Sequence, residues 1–279
     1  MGIKLNLSKK DKIFFIVFLI IYIVVAVLNY KHVGKLEGVG QRWIIGIGIS
    51  ENITLRLNPL TVIMSWAIMV FLMLSAVKFK KNLRIIPSRF QAFFEYILSF
   101  IYEIVEDSIP RKELVKPVFY ISATLFLFIV ISNILGGFPG IQVVPTDEGI
   151  KISLFQDTWF SPTADINTNA TYAVMVLILS HAFAIKVKGF WRWFKSFFEP
   201  NPLMFPMNVI GELAKPISHS LRLFGNIAGG GILVLILSYM TKYIFIPVIL
   251  WGFFGLFVGV IQALVFSMLA IAYISAQIE

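Results

Sequence analysis

Six long apolar stretches divide the 279-residue sequence and constrain its fold more than any other feature. A helix that crosses the hydrocarbon core of a bilayer needs about 20 apolar residues. Stretches of this kind predict an all-α, polytopic membrane protein with about six membrane helices. They are Ile13–Tyr30, Leu60–Val77, Pro117–Leu135, Thr171–Ile185, Leu203–Tyr239 and Phe245–Ala276.

The composition agrees with a membrane protein. Hydrophobic residues make up 58% of the sequence and charged residues 14%, whereas a soluble domain is about a quarter charged. One water-soluble core cannot bury so many apolar side chains. The composition therefore excludes an ordinary soluble enzyme, a disordered chain and a free-standing nucleic-acid-binding protein. Cysteine is absent, which excludes disulfide bonds and thiolate metal sites.

The positions of Lys and Arg predict how the chain is oriented. Sixteen of the 24 cationic residues lie in the N-terminal segment and in the segments that follow the second and fourth stretches. Six lie in the connections on the opposite side. Loops rich in Lys and Arg remain in the cytoplasm. We therefore expect both termini in the cytoplasm and the connection Gly136–Asn169 outside.

Two segments leave alternatives open. The stretch Ile13–Tyr30 follows a basic start and is either a retained membrane anchor, which we favour, or a signal peptide. Segment Arg89–Asp107 carries apolar residues at three- and four-residue spacing, which predicts an amphipathic helix. This helix lies either along the cytoplasmic membrane face or against the soluble domain of a partner.

The two remaining cationic residues, Lys215 and Arg222, lie inside the fifth apolar stretch. A charge at the centre of a bilayer costs about 2.5–3.5 kcal/mol even on the mildest scale, so such residues are rare and usually functional. As one helix, Leu203–Tyr239 would be about 55 Å long, against about 30 Å for the hydrocarbon core. We expect the last two stretches to form a hairpin of long, strongly tilted helices, with bends where Pro206 and Pro216 occur.

The polar residues of the fifth stretch share one face of this helix. Glu212, Lys215, His219, Arg222 and Asn226 follow one another at spacings of three and four. Lys215 could instead extend to the interface, Glu212 could pair along the helix, and a single histidine is more often a satisfied polar group than a proton relay. Arg222 is harder to explain in this way, because a guanidinium stays charged at ordinary pH.

Small residues lie beside this polar face and on the last stretch. Gly225 and the run from Ala228 to Gly231 permit close approach of another helix, unless they serve only packing within the chain. Gly252, Gly255 and Gly259 form a second small face, which Gln262 continues. No catalytic triad, metal-ligand cluster, phosphate loop or nucleotide fingerprint is present in the sequence. The residues thus give no sign of a cofactor, a bound metal or a nucleotide-hydrolysing site, and the basic loops lack the pattern of a nucleic acid partner's binding module.

The segment Lys215–Asn226, which reads KPISHSLRLFGN, closely resembles the signature of the a subunit of rotary F-type ATP synthases. Weaker similarities follow in the same order as in that family, from about Asn58 to the C-terminus. They are Arg89–Gln91, Pro162–Asn167, Glu199–Pro202, Asn208–Leu213 and Gln262–Phe266 with Tyr273.

The resemblance implies a stator ion-channel subunit in the membrane sector of a bacterial ATP synthase. In that family two half-channels and an essential arginine, here Arg222, couple cation flow to rotation of the c-subunit ring and to ATP synthesis. The implied partners are the c-subunit ring, the b-subunit peripheral stalk, the remaining subunits and membrane lipid. The resemblance also implies a multi-pass protein of the inner (plasma) membrane of a bacterium.

The resemblance also implies roles for individual residues and two parts of the chain. Residues 1–58 would form an N-terminal anchor helix and external segment, and residues 59–279 the ion-channel domain, with the functional hairpin at 203–277. The candidates for ion translocation are Arg222, Asn226, Gln262, Glu212, His219 and Lys215. The half-channel candidates are Asp165, Asn167, Asn133, His181, Ser218, Ser267 and Tyr273, and the ring-packing candidates are Gly225, Gly229, Gly231 and Gly255.

Departures from the family pattern bear on the coupling ion. Many proton-using members carry a carboxylate and a histidine where this chain has Gly231 and Gly255. A proton can move along titratable groups, whereas a hydrated metal ion needs room and neutral oxygens. We therefore favour Na⁺ over H⁺, with H⁺ movement through Glu212, His219, His181 or Asp165 as the alternative. The alternative function is a self-sufficient secondary cation transporter, although the sequence lacks the internal repeat that such folds usually show.

Overall fold

A computed structural model describes residues 16, 17, 20, 45–50, 53–135, 139–146, 149–158, 161–241 and 252–278. Most of the first apolar stretch, Ile13–Tyr30, lies outside the described residues. So does the connection between the last two stretches. The structural statements below concern the described residues.

Four helices of the described chain are long and apolar enough to cross a membrane, by length and composition. Three of them are α1 (Pro59–Lys81), α3 (Lys112–Leu135) and α4 (Ile166–Lys188). The fourth comprises Phe253–Ile278 and contains α7 (Gly259–Ile278). These helices confirm the predicted polytopic, helical membrane architecture. The total number of membrane helices and their tilt remain predictions.

The predicted amphipathic helix is α2 (Arg89–Ser108). The side chain of Ser88 caps it by accepting a hydrogen bond from the backbone N–H of Gln91, at 3.3 Å. Apolar residues recur along one face of this helix, where Ile101 and Val105 are buried and Phe90 and Phe93, nearer its start, are exposed. The helix is therefore amphipathic as predicted, and its position along the membrane face remains a prediction.

The fifth apolar stretch forms one continuous helix, α6 (Phe205–Thr241), of 37 residues. At a rise of 1.5 Å per residue its length is about 55 Å, well beyond the hydrocarbon core. Pro216 lies within this helix and cannot donate to the carbonyl of Glu212 one turn earlier. The last stretch begins its described part as a seven-residue π-helix, Gly252–Val258, and continues as α7.

Two β-hairpins, one before α1 and one between α3 and α4, were not predicted. Strands β1 (Ile45–Ser50) and β2 (Ile53–Leu57) pair antiparallel, and so do β3 (Pro139–Thr146) and β4 (Gly149–Thr158). The missed signal is the alternation of apolar residues, as in Ile45-Gly-Ile-Gly-Ile and in Ile150, Ile152 and Leu154. The hairpins add to the predicted all-α membrane part and do not replace it.

Three short elements complete the fold. A 3-10 turn, Pro162–Ala164, precedes α4, and a second one, Pro202–Met204, precedes α6. Helix α5 (Phe190–Ser196) follows α4 after Gly189, whose φ of 81° is left-handed and favours glycine. The first turn and helix α5 therefore flank α4 at its two ends, and the second turn leads into α6.

The core lies where α7 packs against α3 and α4, while α4 also packs along α6. Its buried members include Val118, Ile129, Leu223, Phe266, Ile271 and Ile274. Helix α1 contributes little to this core, and most of its large apolar side chains are exposed. Exposure of so many apolar groups is typical of a surface that faces lipid or another subunit.

Candidate functional site

On helix α6 the five residues of the predicted polar face form two parallel rows. Glu212, His219 and Asn226 are spaced by seven residues, and each contacts a side chain of α7. Lys215 and Arg222 are also seven residues apart and form the second row. Lys215 lies at the edge of α7, with its Nζ 5.8 Å from the centre of the Tyr273 ring, whereas Arg222 is exposed. The first row therefore belongs to the helix–helix contact, and Arg222 lies on the open side.

Arg222 has no carboxylate partner in the described part of the chain. One turn further along α6, Asn226 donates from Nδ2 to Oε1 of Gln262, at 2.7 Å. Gln262 is buried and its own Nε2 has no described partner. An exposed guanidinium thus lies beside a fixed pair of amides, at the contact between the two long helices.

The glycines around Arg222 differ in what surrounds them. Gly225 and Gly229 are exposed, and a Cβ added to either would meet nothing within 4 Å. A Cβ on Gly230 would meet Phe254 of the π-helix at 3.1 Å, so this glycine serves packing within the chain. Gly231 lies in α6 and Gly255 in the π-helix. Gly225 and Gly229 therefore form an exposed surface beside Arg222 that no other described side chain covers, here called the open strip.

His219 is buried in an aromatic stack. Its ring centre lies 3.7 Å from that of Phe266 and 5.5 Å from that of Tyr273. The side chain retains only 1% of its accessible surface. His219 separates Arg222 from the charged groups nearer the start of α6.

Those charged groups form a second site, here called the Glu212 cluster (His181, Trp193, Glu212, Lys215 and Gln277). Oε1 of Glu212 accepts from Lys215 Nζ at 2.5 Å and from Gln277 Nε2 at 2.7 Å. Its Oε2 lies 3.6 Å from Nε2 of His181. The Trp193 indole donates to Nδ1 of His181 at 3.2 Å, which leaves Nε2 of that histidine facing the carboxylate. The structure thereby joins two predicted residues, His181 and Glu212, that are distant in sequence.

A third site, here called the Asp165 cluster, lies where the ends of α1, α3, α4 and α7 meet. Asp165 caps α4, with Oδ1 accepting from the backbone N–H of Asn167 at 3.0 Å and Oδ2 accepting from the hydroxyl of Thr61 at 3.1 Å. Asp165 is buried although it is charged. The members of the cluster are Thr61, Ser132, Asn133, Ser161, Thr163, Asp165 and Asn169.

The rest of the Asp165 cluster is a chain of uncharged polar groups. Ser161 donates to the carbonyl of Ser132 at 2.9 Å, and the hydroxyl of Thr163 contacts Oδ1 of Asn133 at 2.6 Å. Nδ2 of Asn133 donates to the carbonyl of Gly259 at 2.7 Å. A Cβ on Gly259 would approach Asn133 at 3.0 Å, so glycine permits this contact.

The Asp165 cluster reaches toward Arg222 through α7. Gly259 and Gln262 are three residues apart and therefore lie about one turn apart on this helix. Asn133 contacts Gly259, and Asn226 contacts Gln262. Polar contacts thus continue from the cluster to within one turn of Arg222.

The remaining predicted half-channel residues lie in different surroundings. Tyr273 is half-buried against His219, and Ser267 is buried with its hydroxyl bound to the carbonyl of Ala263 at 3.0 Å. Asn167 and Ser218 are exposed. Sequence reasoning did not single out Ser132, Ser161, Thr163, Asn169, Trp193 or Gln277. Only their contacts with predicted residues or with one another distinguish them from other polar residues.

The fold and these sites define a class: a polytopic helical membrane protein in which clusters of polar residues lead toward Arg222, an arginine within a long apolar helix that has no carboxylate partner among the described residues. The family model described as ATP synthase A chain matches residues 60–275. The chain belongs to this family and works within an ATP synthase complex. The family membership gives no support to a self-sufficient transporter.

Individual relatives agree with the family. The chain is 39% identical over 219 residues to "ATP synthase subunit a, sodium ion specific" of Propionigenium modestum, which covers 78% of this chain and 74% of the relative. It is 33% identical over 245 residues to ATP synthase subunit a of Bacillus pumilus, covering 82% of this chain and 96% of that protein. ATP synthase subunit a of Moorella thermoacetica is 35% identical over 216 residues, with coverage of 77% and 88%.

Proposed function

We propose that this chain is the stator ion-channel subunit in which Arg222 couples cation movement to rotation of a c-subunit ring. The observation that carries the proposal is the exposed guanidinium of Arg222 beside the open strip of Gly225 and Gly229. A charge at this position needs a partner, and the described part of the chain supplies none. Carboxylates on a neighbouring ring would complete it.

The chemistry of arginine suits this role. A guanidinium cannot be neutralised at ordinary pH, so it remains a fixed positive charge. A ring carboxylate that approaches Arg222 therefore exchanges its bound cation for the guanidinium. The same charge repels free cations, which prevents them from leaking directly between the two sides of the membrane.

The other two clusters suit the two half-channels. The Asp165 cluster lies at the end of the bundle where the charge pattern places the outside, and its contacts lead through Asn133 and Gln262 toward Arg222. The Glu212 cluster lies at the opposite end, beyond His219. We assign the first to the outer half-channel and the second to the cytoplasmic one.

The coupling ion we propose is Na⁺. Gly231 and Gly255 carry no titratable group, and the Asp165 cluster consists mostly of neutral oxygen-bearing groups. One relative is named as sodium ion specific. These features favour a metal ion over a chain of proton-transfer groups.

We further propose the partners and placement that follow from this role. The c-subunit ring would pack on the open strip of α6, and the b-subunit would contact the same membrane sector. Both termini would lie in the cytoplasm of a bacterium, and the subunit would lie in its plasma membrane. Residues 1–58 would form an added anchor and external segment, and the family model begins close to this boundary, at residue 60.

The test is ATP-driven ²²Na⁺ uptake into vesicles that contain the whole complex, at fixed pH. The unmodified complex should accumulate Na⁺, and Arg222→Ala should abolish uptake because the fixed charge is lost. Arg192→Ala, which removes an exposed arginine in α5, is the matched control and should behave like the unmodified complex.

The two parts of the proposal fail separately. Uptake retained in Arg222→Ala would contradict the role of Arg222. Acidification of the vesicles without Na⁺ uptake in the unmodified complex would show that H⁺ is the coupling ion.

A further inference from the structure

The hydroxyls and amides of the Asp165 cluster have too few protons for their contacts. Carbonyl oxygens only accept hydrogen bonds, so the amide of Asn133 must direct its NH₂ group to Gly259 and its Oδ1 to Thr163. In its contact with Asn133, the hydroxyl of Thr163 can then only donate. In its contact with the carbonyl of Ser132, the hydroxyl of Ser161 can likewise only donate.

One contact in the cluster is left without a proton. Oγ of Ser161 lies 2.5 Å from Oγ1 of Thr163, and either hydroxyl can donate there. These two hydroxyls hold two protons for three contacts, which are with Ser132, with Asn133 and with each other. In one of the three contacts two oxygens therefore face each other without a proton, and a cation beside them would offset their repulsion.

Two further oxygens of the cluster are buried and without a hydrogen-bond partner. Nδ2 of Asn169 donates to the carbonyl of Thr163 at 2.7 Å, which holds its amide against the cluster with Oδ1 unpartnered. Ser132, whose carbonyl joins the cluster, has an unpartnered Oγ. Both residues are 0% exposed. Buried polar atoms are nearly always paired, so unpartnered oxygens here indicate a ligand.

We infer that the Asp165 cluster binds Na⁺ through uncharged oxygens before the ion reaches Arg222. The oxygens are those of Ser161, Thr163, Asn169 and Ser132, and oxygen ligands suit hard cations. The nearby carboxylate of Asp165 supplies one negative charge, while its oxygens are held by Asn167 and Thr61. The site would select an ion stripped of part of its water at the entrance of the outer half-channel.

The charge of the cluster favours a monovalent ion over a divalent one. Protein sites for Ca²⁺ and Mg²⁺ rely on ionised carboxylates as ligands. Within the described residues, no group of three or more acidic, histidine or cysteine side chains could hold a metal ion. One carboxylate with neutral oxygens matches a single positive charge. This inference rests on the proposed function, because it assigns the ion specificity of the same pathway.

The test uses Thr163→Val in the complete complex, because valine keeps the shape of threonine and removes the hydroxyl oxygen. ATP synthesis driven by an imposed voltage is measured at fixed pH while Na⁺ is varied on the side opposite the catalytic head. Changes near a metal ion typically lower affinity 10- to 100-fold, so the Na⁺ concentration for half-maximal synthesis should rise by about tenfold or more. The dependence on Na⁺ at the side of the head should not change.

Two variants control for structure. Thr171→Val removes a hydroxyl of α4 that donates to the carbonyl of Asn167 on its own helix, at 2.8 Å, and should leave the Na⁺ dependence unchanged. Thr163→Ser restores the oxygen without the methyl group and should recover the response of the unmodified complex. A low yield of assembled Thr163→Val complex can therefore be compared with the serine variant.

Several outcomes would overturn the inference. They are an unchanged Na⁺ dependence in Thr163→Val, an equal shift in Thr171→Val, or synthesis by the unmodified complex that ignores Na⁺. In the last case, loss of synthesis in Arg222→Ala would leave the stator role standing. Retained synthesis in Arg222→Ala would instead contradict the proposed function itself.

Discussion

Lys215 and Arg222 carry the same charge on the same helix, and the structure gives them different surroundings. Lys215 binds the carboxylate of Glu212, whereas Arg222 is exposed and has no described carboxylate partner. The sequence predicted that both are unusual, because both interrupt an apolar stretch. Pairing of Glu212 along its own helix was one of the readings of the sequence, but the sequence could not predict that His181 and Gln277 reach Glu212 from other helices. Periodicity places residues on a face, and packing decides which neighbours they meet.

The Glu212 cluster gives a prediction for a single residue. Glu212→Gln keeps the shape of the side chain and removes its negative charge, so the cation of Lys215 would repel Na⁺ at the proposed cytoplasmic half-channel. We expect ATP-driven ²²Na⁺ uptake to become about tenfold slower, which corresponds to about 1.4 kcal/mol in the barrier. Adding Lys215→Gln should restore much of the rate, because the unpaired charge is then gone. An equal or lower rate in the double variant would contradict this account.

At the scale of elements, hydrophobic length and amphipathic spacing predicted the membrane helices and α2, because both patterns are local. The hairpins were not predicted, because the alternation of apolar residues in short strands is a weak signal in a sequence dominated by long apolar stretches. The 3-10 turn at Pro162–Ala164 also matters more than the sequence indicates. It carries Thr163 into contact with α3, and with α4 through Asn169. Its role depends on contacts across the chain.

Helix α6 presents an open strip that gives the prediction at this scale. Gly229→Leu should leave the amount of chain in the membrane unchanged, since a Cβ there meets nothing within 4 Å. The larger side chain should prevent close approach of the ring, so co-purification of the c subunits should fall strongly. Membrane abundance and c-subunit yield are measured together by immunoblotting.

The matched variant Gly230→Leu should lower the abundance of the chain itself, because its Cβ approaches Phe254 at 3.1 Å. Normal recovery of the ring with Gly229→Leu would exclude this strip as the ring contact.

At the scale of the whole molecule, the net charge of +9 has two separate origins. Most cationic residues record the orientation of the loops, and their distribution follows the positive-inside rule. The two within α6 differ: Lys215 pairs with Glu212 on the same helix, whereas Arg222 has no carboxylate partner among the described residues. The fold class and the position of Arg222 within a long apolar helix were therefore predictable from sequence, and the orientation stays a prediction. The proposed cation site was not predictable, because it depends on contacts among residues from several elements.

The orientation of the whole chain gives the last prediction. The chain contains no cysteine, so single cysteines can report which side of the membrane each loop occupies. Asn82→Cys, in the exposed basic segment after α1, should react with a membrane-impermeant maleimide only when the cytoplasmic face is accessible. Thr158→Cys, at the end of β4, should react only from the opposite face, because the connection that contains it carries four acidic residues and one lysine. Ser8→Cys should label together with Asn82→Cys. If Asn82→Cys and Thr158→Cys reacted from the same side, the Asp165 and Glu212 clusters could not serve opposite faces of the membrane, and the assignment of the two half-channels would fail.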